Sequence, residues 1–94
     1  MKFFDWDEIK NVQLKLERAV SFEDVLTAID EDRVLDDLRH SNKRRYPNQR
    51  VLVVEIDYYA YLVPYVEDET KFFFKTIIPS RKATRKYLSK EKSS

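Results

Sequence analysis

The sequence contains no cysteine, no glycine and only one histidine. Without cysteine it can form neither a disulfide framework nor a thiolate metal site, and one histidine excludes a multi-histidine metal site within one chain. Without glycine it lacks the loops that commonly cradle nucleotide phosphates. We therefore expect no cofactor and no bound metal. Turns are expected to use Asn or Asp instead of glycine where they need a positive φ, or to avoid that conformation.

Long apolar runs are also absent. No stretch approaches the length of a membrane span, and the opening residues MKFFDWDEIK carry acidic side chains that argue against a signal peptide. These features predict a cytoplasmic protein that does not contact a membrane. With 94 residues, 43% of them hydrophobic, we expect a single domain over 1–94, with a frayed basic tail from about 89 to 94.

The charges are distributed unevenly, although the net charge is only +1. Residues 1–37 hold five Lys/Arg against eleven Asp/Glu, a net of −6, and residues 38–70 hold five of each. Residues 71–94 hold eight Lys/Arg against one Glu, a net of +7. Such asymmetry suggests an anionic partner for the C-terminal part, or a basic surface that only aids solubility.

Two amphipathic helices are predicted after a short strand or aromatic anchor at 3–6. Asp7 can cap a helix that runs to about Arg18. Ser21 and Asp24 form a capping box for the second helix. The apolar positions of the first helix are Ile9, Val12, Leu14 and Leu16, and those of the second are Phe22, Val25, Leu26 and Ile29. Both helices should pack on a sheet.

The rest of the chain predicts that sheet and a last helix. Residues 34–38 fit either a short strand or a helical extension, whereas 50–56 and 58–66 form a tight hairpin turning near Asp57. Pro64 marks an edge or a bulge, and 71–78 form the last strand before a helix from Ser80. We expect an α+β fold with a small antiparallel sheet, two N-terminal helices packed on it and a basic C-terminal helix.

That last helix opens with cations where the helix dipole repels them. Keeping them at this cost suggests a ligand such as RNA phosphate. On the helix Arg81 and Arg85 are one turn apart, as are Lys82 and Lys86. A second basic run, 43–50, combines cations with an aromatic ring, which suits phosphate neutralisation and base stacking. The residues expected to contact RNA outside the catalytic set are Lys82, Lys86, Arg44, Arg45 and Tyr87.

Each further candidate residue also has an ordinary structural interpretation. Lys75 is either a site cation or a lysine at a sheet edge, and Arg50 is either a site cation or the partner of Glu67 or Asp68. His40 can transfer protons near neutral pH, or it is an idle surface histidine. An enzyme built from such residues would depend on cationic side chains and hydroxyl groups for catalysis. Cleavage of RNA by its own 2′-OH fits, because the protein need only position the substrate and stabilise charge on phosphorus.

Three segments resemble the BrnT-type toxins. The opening FDWDEIKNVQLKLERAVSFEDVLTAI resembles the Phe-x-Trp-Asp start and the Val-Ser-Phe-Glu-Glu stretch of that family. The segment RHSNKRRYPNQRVLVVEI is similar to its His-Ser loop and strand-opening arginine, and IIPSRKATRKYL is similar to its strand-to-helix junction. The resemblance covers roughly residues 3–88.

The resemblance implies a RelE-like fold and a metal-independent endoribonuclease that cleaves mRNA. It also implies a cognate ribbon-helix-helix antitoxin, through whose complex the toxin reaches operator DNA. By position, Arg81 matches the arginine after the serine of the junction, and Arg85 falls in the basic run behind it. Lys75 falls near the basic position of the last strand. His40 and Arg50 match the loop histidine and the strand-opening arginine. The implied catalytic set is therefore Arg81, Arg85, Lys75, His40 and Arg50.

The chain departs from the family pattern in three places, and one of them is the segment YLVPYVEDE, which differs from the usual strand of the family. Ala19 replaces the usual helix-ending glycine, so we expect another geometry at that corner. The loop before Arg50 is basic where relatives tend to be rich in glycine and glutamate. The alternative to an enzyme is a non-catalytic module that binds a partner or nucleic acid through its basic C-terminal face. A stable domain with no such role is a third possibility.

Overall fold

The computed structural model describes residues 2–39 and 41–89 as an α+β fold, which confirms the expected class. The predictions for His40 and for 90–94, which is most of the expected tail, lie outside the described residues. In the part of the chain that is described, no helix is long and apolar enough to cross a membrane. The elements in chain order are β1 (Phe3–Trp6), α1 (Glu8–Arg18), α2 (Phe22–Asp30), β2 (Val34–Arg39), β3 (Gln49–Ile56), β4 (Tyr59–Glu67), β5 (Lys71–Phe74), β6 (Ile78–Pro79) and α3 (Arg81–Leu88).

The six strands form one sheet in the order β1-β5-β4-β3-β2, with β6 also paired to β4. The expectation of an antiparallel sheet is wrong at one edge, because β1 runs parallel to β5 and makes the sheet mixed. The ambiguous segment 34–38 is part of strand β2. The tight hairpin is confirmed: β3 and β4 are joined by Asp57 and Tyr58, with φ of 53° and 65°. Two positive φ values match the twist that two-residue hairpins require.

The sheet separates two apolar clusters. Alternate residues of β3 point to opposite faces. Leu52, Val54 and Ile56 pack in the main core with side chains of α1 and α2. Val53 packs instead with Ala60 and with Ala83 of α3. The two N-terminal helices therefore cover one face of the sheet, and the basic helix covers part of the other.

The expected strand 71–78 is interrupted by a bulge opposite Pro64. Tyr65 pairs with Phe74, whereas Leu62 pairs with Ile78, so three residues (75–77) oppose two (63–64). One extra residue reverses the alternation of side chains. Regular alternation along the predicted strand would place Ile77 on the face opposite Phe74, but Ile77 is fully buried in the same core. Pro64 thus marks a bulge, as one of its two predicted roles required, and its carbonyl accepts a hydrogen bond from Lys75 N at 2.8 Å.

The corner between α1 and α2 depends on a buried amide. The caps are as predicted: Asp7 accepts from Ile9 N, and Ser21 and Asp24 form the capping box. Of the four apolar positions in α1, however, only Leu14 is buried, and Asn11 is buried beside it. The Asn11 Oδ1 accepts from Phe22 N at 2.8 Å, and Nδ2 donates to carboxylates of both helices. A polar side chain therefore fixes the angle between the helices.

The expected change of geometry at Ala19 is wrong. Ala19 ends α1 with φ 58° and ψ 31°, and its N–H donates to Lys15 O at 3.2 Å. This is the left-handed C-cap that glycine usually occupies. The expectation that only Asn or Asp would take positive φ holds for Asp32 and Asp57, but fails for Ala19 and Tyr58. The hydrogen-bonded corner and hairpin force these residues into a conformation that costs about 1 kcal/mol or more each.

We expect Ala19→Gly to raise the free energy of unfolding by roughly 0.5–1 kcal/mol, because glycine has no Cβ to oppose the left-handed conformation. Urea unfolding followed by circular dichroism measures this as a higher midpoint with an unchanged slope. Gln13→Gly is the matched control, since Gln13 is exposed inside α1, where glycine costs about 1 kcal/mol. A lower midpoint for Ala19→Gly would contradict the assigned strain.

Candidate nucleic-acid interface

Helix α3 is attached to strand β4 by hydrogen bonds in its first turn. Ser80 caps the helix by accepting from Ala83 N at 3.0 Å, and its own N–H donates to Ala60 O at 3.0 Å. The Thr84 hydroxyl accepts from Ala60 N at 2.9 Å and donates to Ser80 O at 2.8 Å. Both polar groups of Ala60 are therefore bonded to the helix. This anchoring fixes the direction in which the cations of α3 point.

One side of α3 is docked and the other is cationic. Ala83 is buried, and Tyr87, which was expected to contact RNA, packs against the same cluster. Four cations remain exposed, and we call them the basic face: Arg81, Lys82, Arg85 and Lys86. None of the four forms an ion pair with any residue in 2–39 or 41–89. The four charges of the basic face are therefore not held in ion pairs, although Lys86 lies close enough to Asp36 to help lower the pKa of that carboxyl group.

A cleft lies between the basic face and the sheet. It has a volume of about 260 Å³, and its lining includes Lys82 and Lys86 together with the apolar residues Leu38, Val53 and Leu62. Cations next to apolar side chains suit a phosphate joined to a planar base.

Tyr87 closes one side of this cleft. Its hydroxyl donates to Asp36 Oδ2 at 2.5 Å, and this hydrogen bond raises the pKa of Tyr87 and lowers the pKa of Asp36. Lys86 Nζ lies 5.2 Å from the centre of the Tyr87 ring. Tyr87 therefore stays neutral at physiological pH, and its hydroxyl is already bonded to the protein.

Arg50 lies on the other face of the sheet. It shares that face with Tyr65, which packs in the main core with α1 and α2. Arg50 Nη2 is 2.9 Å from Asp37 Oδ2, and Nη1 is 3.9 Å from Glu67 Oε1. Pairing with Glu67 was one of the ordinary interpretations of this arginine. Two carboxylates already balance its charge, so it is less available to a phosphate than the basic face is.

Arg50, Asp37 and Glu67 form a cluster that also includes Tyr65 and Lys2. The Tyr65 hydroxyl donates to Asp37 at 2.8 Å, and Lys2 pairs with Glu67 at 2.5 Å. Burial, followed by the hydrogen bond to Asp37, raises the pKa of Tyr65. Within the described residues Arg50 Nε is buried and has no hydrogen-bond partner. The cluster ties together the ends of β2, β3 and β4.

The other predicted residues are dispersed. Lys75 is exposed in the bulge between β5 and β6. Arg44 and Arg45 are exposed in the loop before β3, and the Arg45 guanidinium is 5.6 Å from the Tyr46 ring centre. That loop leads into Gln49, whereas α3 is bonded to Ala60 at the opposite end of the hairpin. The structure thus gathers the α3 cations but not the full predicted set.

Sequence reasoning missed Thr84 and Asp36. Thr84 lies within a basic helix, where a hydroxyl gives no pattern that marks it as an anchor. Asp36 is one of two adjacent aspartates in β2, and alternation alone could have placed one of them on the α3 side. In the described part of the chain, no group of three or more His, Asp or Glu side chains is arranged to hold a metal ion. No protein-family model, curated protein or solved structure matches the chain significantly.

Proposed function

We propose that the chain is a cytoplasmic endoribonuclease toxin of the BrnT type, which binds mRNA through the basic face of α3. The observation that carries the RNA-binding part is the set of four exposed cations without ion pairs. Arg81 and Arg85 are four residues apart, as are Lys82 and Lys86, and four residues span about 6 Å along a helix axis. This spacing is comparable to that of neighbouring phosphates in an extended single strand. The activity and partners rest on the sequence resemblance.

The proposed chemistry needs little from the protein beyond positioning and charge. The 2′-OH of RNA supplies the nucleophile, so cleavage requires the sugar and phosphate to be held in line and the charge growing on phosphorus to be stabilised. Arg81 and Arg85 suit that role, because a guanidinium bonds two phosphate oxygens at once. Lys82 and Lys86 then hold flanking phosphates above the cleft. Lys75 and Arg50 are proposed to assist, and His40 to transfer the proton.

The proposal also includes a partner protein that inhibits the toxin. A toxin of this type is held inactive by a ribbon-helix-helix antitoxin, and we propose that operator DNA is bound only by the complex of the two. The described surface offers the basic face as a target for an acidic antitoxin segment, because it lacks internal ion pairs. RNA and antitoxin would then compete for the same cations.

We expect Arg81→Ala/Arg85→Ala to weaken binding of single-stranded RNA by roughly 10- to 100-fold and to reduce the slope of log affinity against log salt by about 1.4, which is about 0.7 for each lost phosphate contact. Fluorescence anisotropy with a labelled oligonucleotide at several salt concentrations measures both. The charge-matched control is Lys10→Ala/Lys71→Ala, which removes two cations outside α3 and should change binding little. Equal losses for the two variants would contradict a localised interface.

Toxicity is tested separately by induced expression in bacteria, with growth and mRNA integrity as readouts. The proposed enzyme arrests growth and fragments mRNA, coexpression of the product of any neighbouring antitoxin gene relieves both effects, and the Arg81→Ala/Arg85→Ala variant shows neither while remaining folded. Intact mRNA during expression of folded wild-type protein would rule out the ribonuclease.

A second candidate is a non-catalytic module that binds RNA or an acidic partner through the same face. One observation favours it: Arg50, expected to complete the catalytic set, lies across the sheet with its charge balanced by Asp37 and Glu67. RNA binding that depends on the basic face, without cleavage, would select this candidate.

A further inference from the structure

Helix α1 exposes a row of large aliphatic side chains. Ile9, Val12 and Leu16 are 73%, 48% and 82% exposed, and we call them the apolar stripe. Their spacing of i, i+3 and i+7 places them on one side of the helix. The opposite side supplies Leu14 and Asn11 to the interior. Single exposed apolar residues are common, but three in helical register form a surface suited to packing against another helix.

The residues beside the apolar stripe have a charge order that is complementary to an antiparallel copy of the same helix. In heptad terms Ile9 and Leu16 occupy a positions and Val12 the d position between them. Glu8 and Lys15 then occupy the two g positions, and Gln13 the e position. In an antiparallel helix pair, g positions meet g positions. Glu8 of one copy therefore meets Lys15 of the other, and the same pair forms again on the other side of the two-fold axis.

We propose that α1 pairs with α1 of a second copy of this chain in an antiparallel, two-fold symmetric contact centred near Val12. Ile9 of one copy packs beside Leu16 of the other, and the two Gln13 side chains meet across the opposite flank. A parallel pair would set g positions against e positions, where Gln13 offers no charge to match Glu8 or Lys15. The charges thus favour self-association with antiparallel helices.

The dimer is expected to be weak. A helix of 11 residues is about 16 Å long, so one helix pair buries less than the roughly 800 Å² per partner of a standard interface. Both charged residues also have contacts within their own chain. Lys15 Nζ is 3.9 Å from Glu23, a long contact that is easily exchanged, and Glu8 accepts from Trp6 Nε1 at 3.3 Å and Asn11 Nδ2 at 3.2 Å. Association should therefore depend on protein concentration.

The first test is sedimentation equilibrium without RNA across roughly a hundredfold range of protein concentration. The wild-type chain should shift from monomer to dimer. Leu16→Glu should weaken association by roughly tenfold or more, because it places two carboxylates in an apolar contact. Leu38→Glu is the matched control, since Leu38 is also exposed but lies on the α3 side of the sheet. A wild-type chain that stays monomeric throughout would overturn the proposal.

A charge-reversal experiment tests the antiparallel geometry itself. Glu8→Lys and Lys15→Glu should each weaken self-association, by roughly three- to tenfold, because each creates two like-charge contacts. Mixing the two variants should restore dimers, since every g position then meets its opposite charge. Circular dichroism checks that both remain folded. Absence of mixed dimers from folded variants would overturn the assignment. So would variants that self-associate like the wild-type chain but no longer bind an antitoxin, because α1 would then be the antitoxin contact.

Discussion

Phe74→Ala is expected to lower the free energy of unfolding by about 3–5 kcal/mol, the usual cost of removing a buried phenyl ring. Phe74 is 1% exposed at the meeting point of β5, β1 and α2. Its ring centre lies 5.4 Å from Phe4, 5.9 Å from Phe22 and 6.3 Å from Trp6 in stacked arrangements. Truncation therefore leaves a cavity and also removes aromatic contacts, each worth roughly 0.5–1.5 kcal/mol beyond burial.

A chain of this length has a total stability of about 5–14 kcal/mol, so this loss should lower the melting temperature by roughly 15–30 °C. Calorimetry measures the shift, and Phe74→Leu provides a milder variant if the alanine variant does not fold. Phe3→Ala is the matched control, because Phe3 is 57% exposed and its loss should change stability little. Similar shifts for Phe3→Ala and Phe74→Ala would disprove the central position of Phe74.

Asn11→Ala should lower the free energy of unfolding by about 2–3 kcal/mol, although it removes only one polar side chain from the corner between α1 and α2. The backbone N–H of Phe22 would lose its acceptor inside a fully buried site, and leaving such a donor unpaired costs about 1–3 kcal/mol. Glu23 would also lose the amide donor 2.8 Å away, which is the main cause of the lowered pKa of its carboxyl group.

Asn11→Asp separates the contribution of the Asn11 acceptor, which it keeps, from that of the amide donor, which it removes. Aspartate can still accept from Phe22 N, but its carboxylate faces Glu8 and Glu23, and like charges raise the pKa of a carboxyl group. A pKa raised in the folded state makes the folded protein bind more protons, so the deficit relative to wild type should shrink as pH falls through that raised pKa. Denaturant unfolding at several pH values measures this. Gln13→Ala on the exposed side of α1 is the control, and a pH-independent deficit for Asn11→Asp would contradict the assigned contacts.

The local features of the fold were readable from the sequence. Asp7, Ser21 and Ser80 cap the three helices as expected, because each cap depends on a side chain and a backbone donor only two or three residues away. The hairpin at Asp57 followed from two strand-forming runs separated by almost nothing. Such signals depend on neighbouring residues, so a single sequence contains them.

Features that depend on distant contacts were not readable. The bulge at 75–77 arises where a strand must pair with β4 on both sides of Pro64, and the local pattern of FFFKTII showed only regular alternation. Ala19 was expected to avoid a left-handed conformation because alanine disfavours it. Tertiary packing of α1 and α2 offsets that local cost. Asn11 likewise gave no apolar signal, although it is one of the most buried residues of α1.

The candidate site was predictable in part for the same reason. The rows of the basic face follow from helical spacing alone, and the docking of Ala83 and Tyr87 follows from the same period. The position of Arg50 was not predictable, because the face on which a strand residue lies depends on register. Its ion pair with Asp37 joins residues that are distant in sequence but adjacent in the sheet.

Because α1 and α3 lie on opposite faces of the sheet, the affinity of the proposed dimer for RNA should depend on the length of the RNA. In a dimer joined through α1, the two basic faces point outward, away from the contact. A transcript long enough to pass around the dimer could occupy both faces at once, and the second engagement would benefit from a high effective concentration. A short oligonucleotide would gain nothing from dimerisation. Such a protein would discriminate between long and short transcripts by avidity, without reading any base.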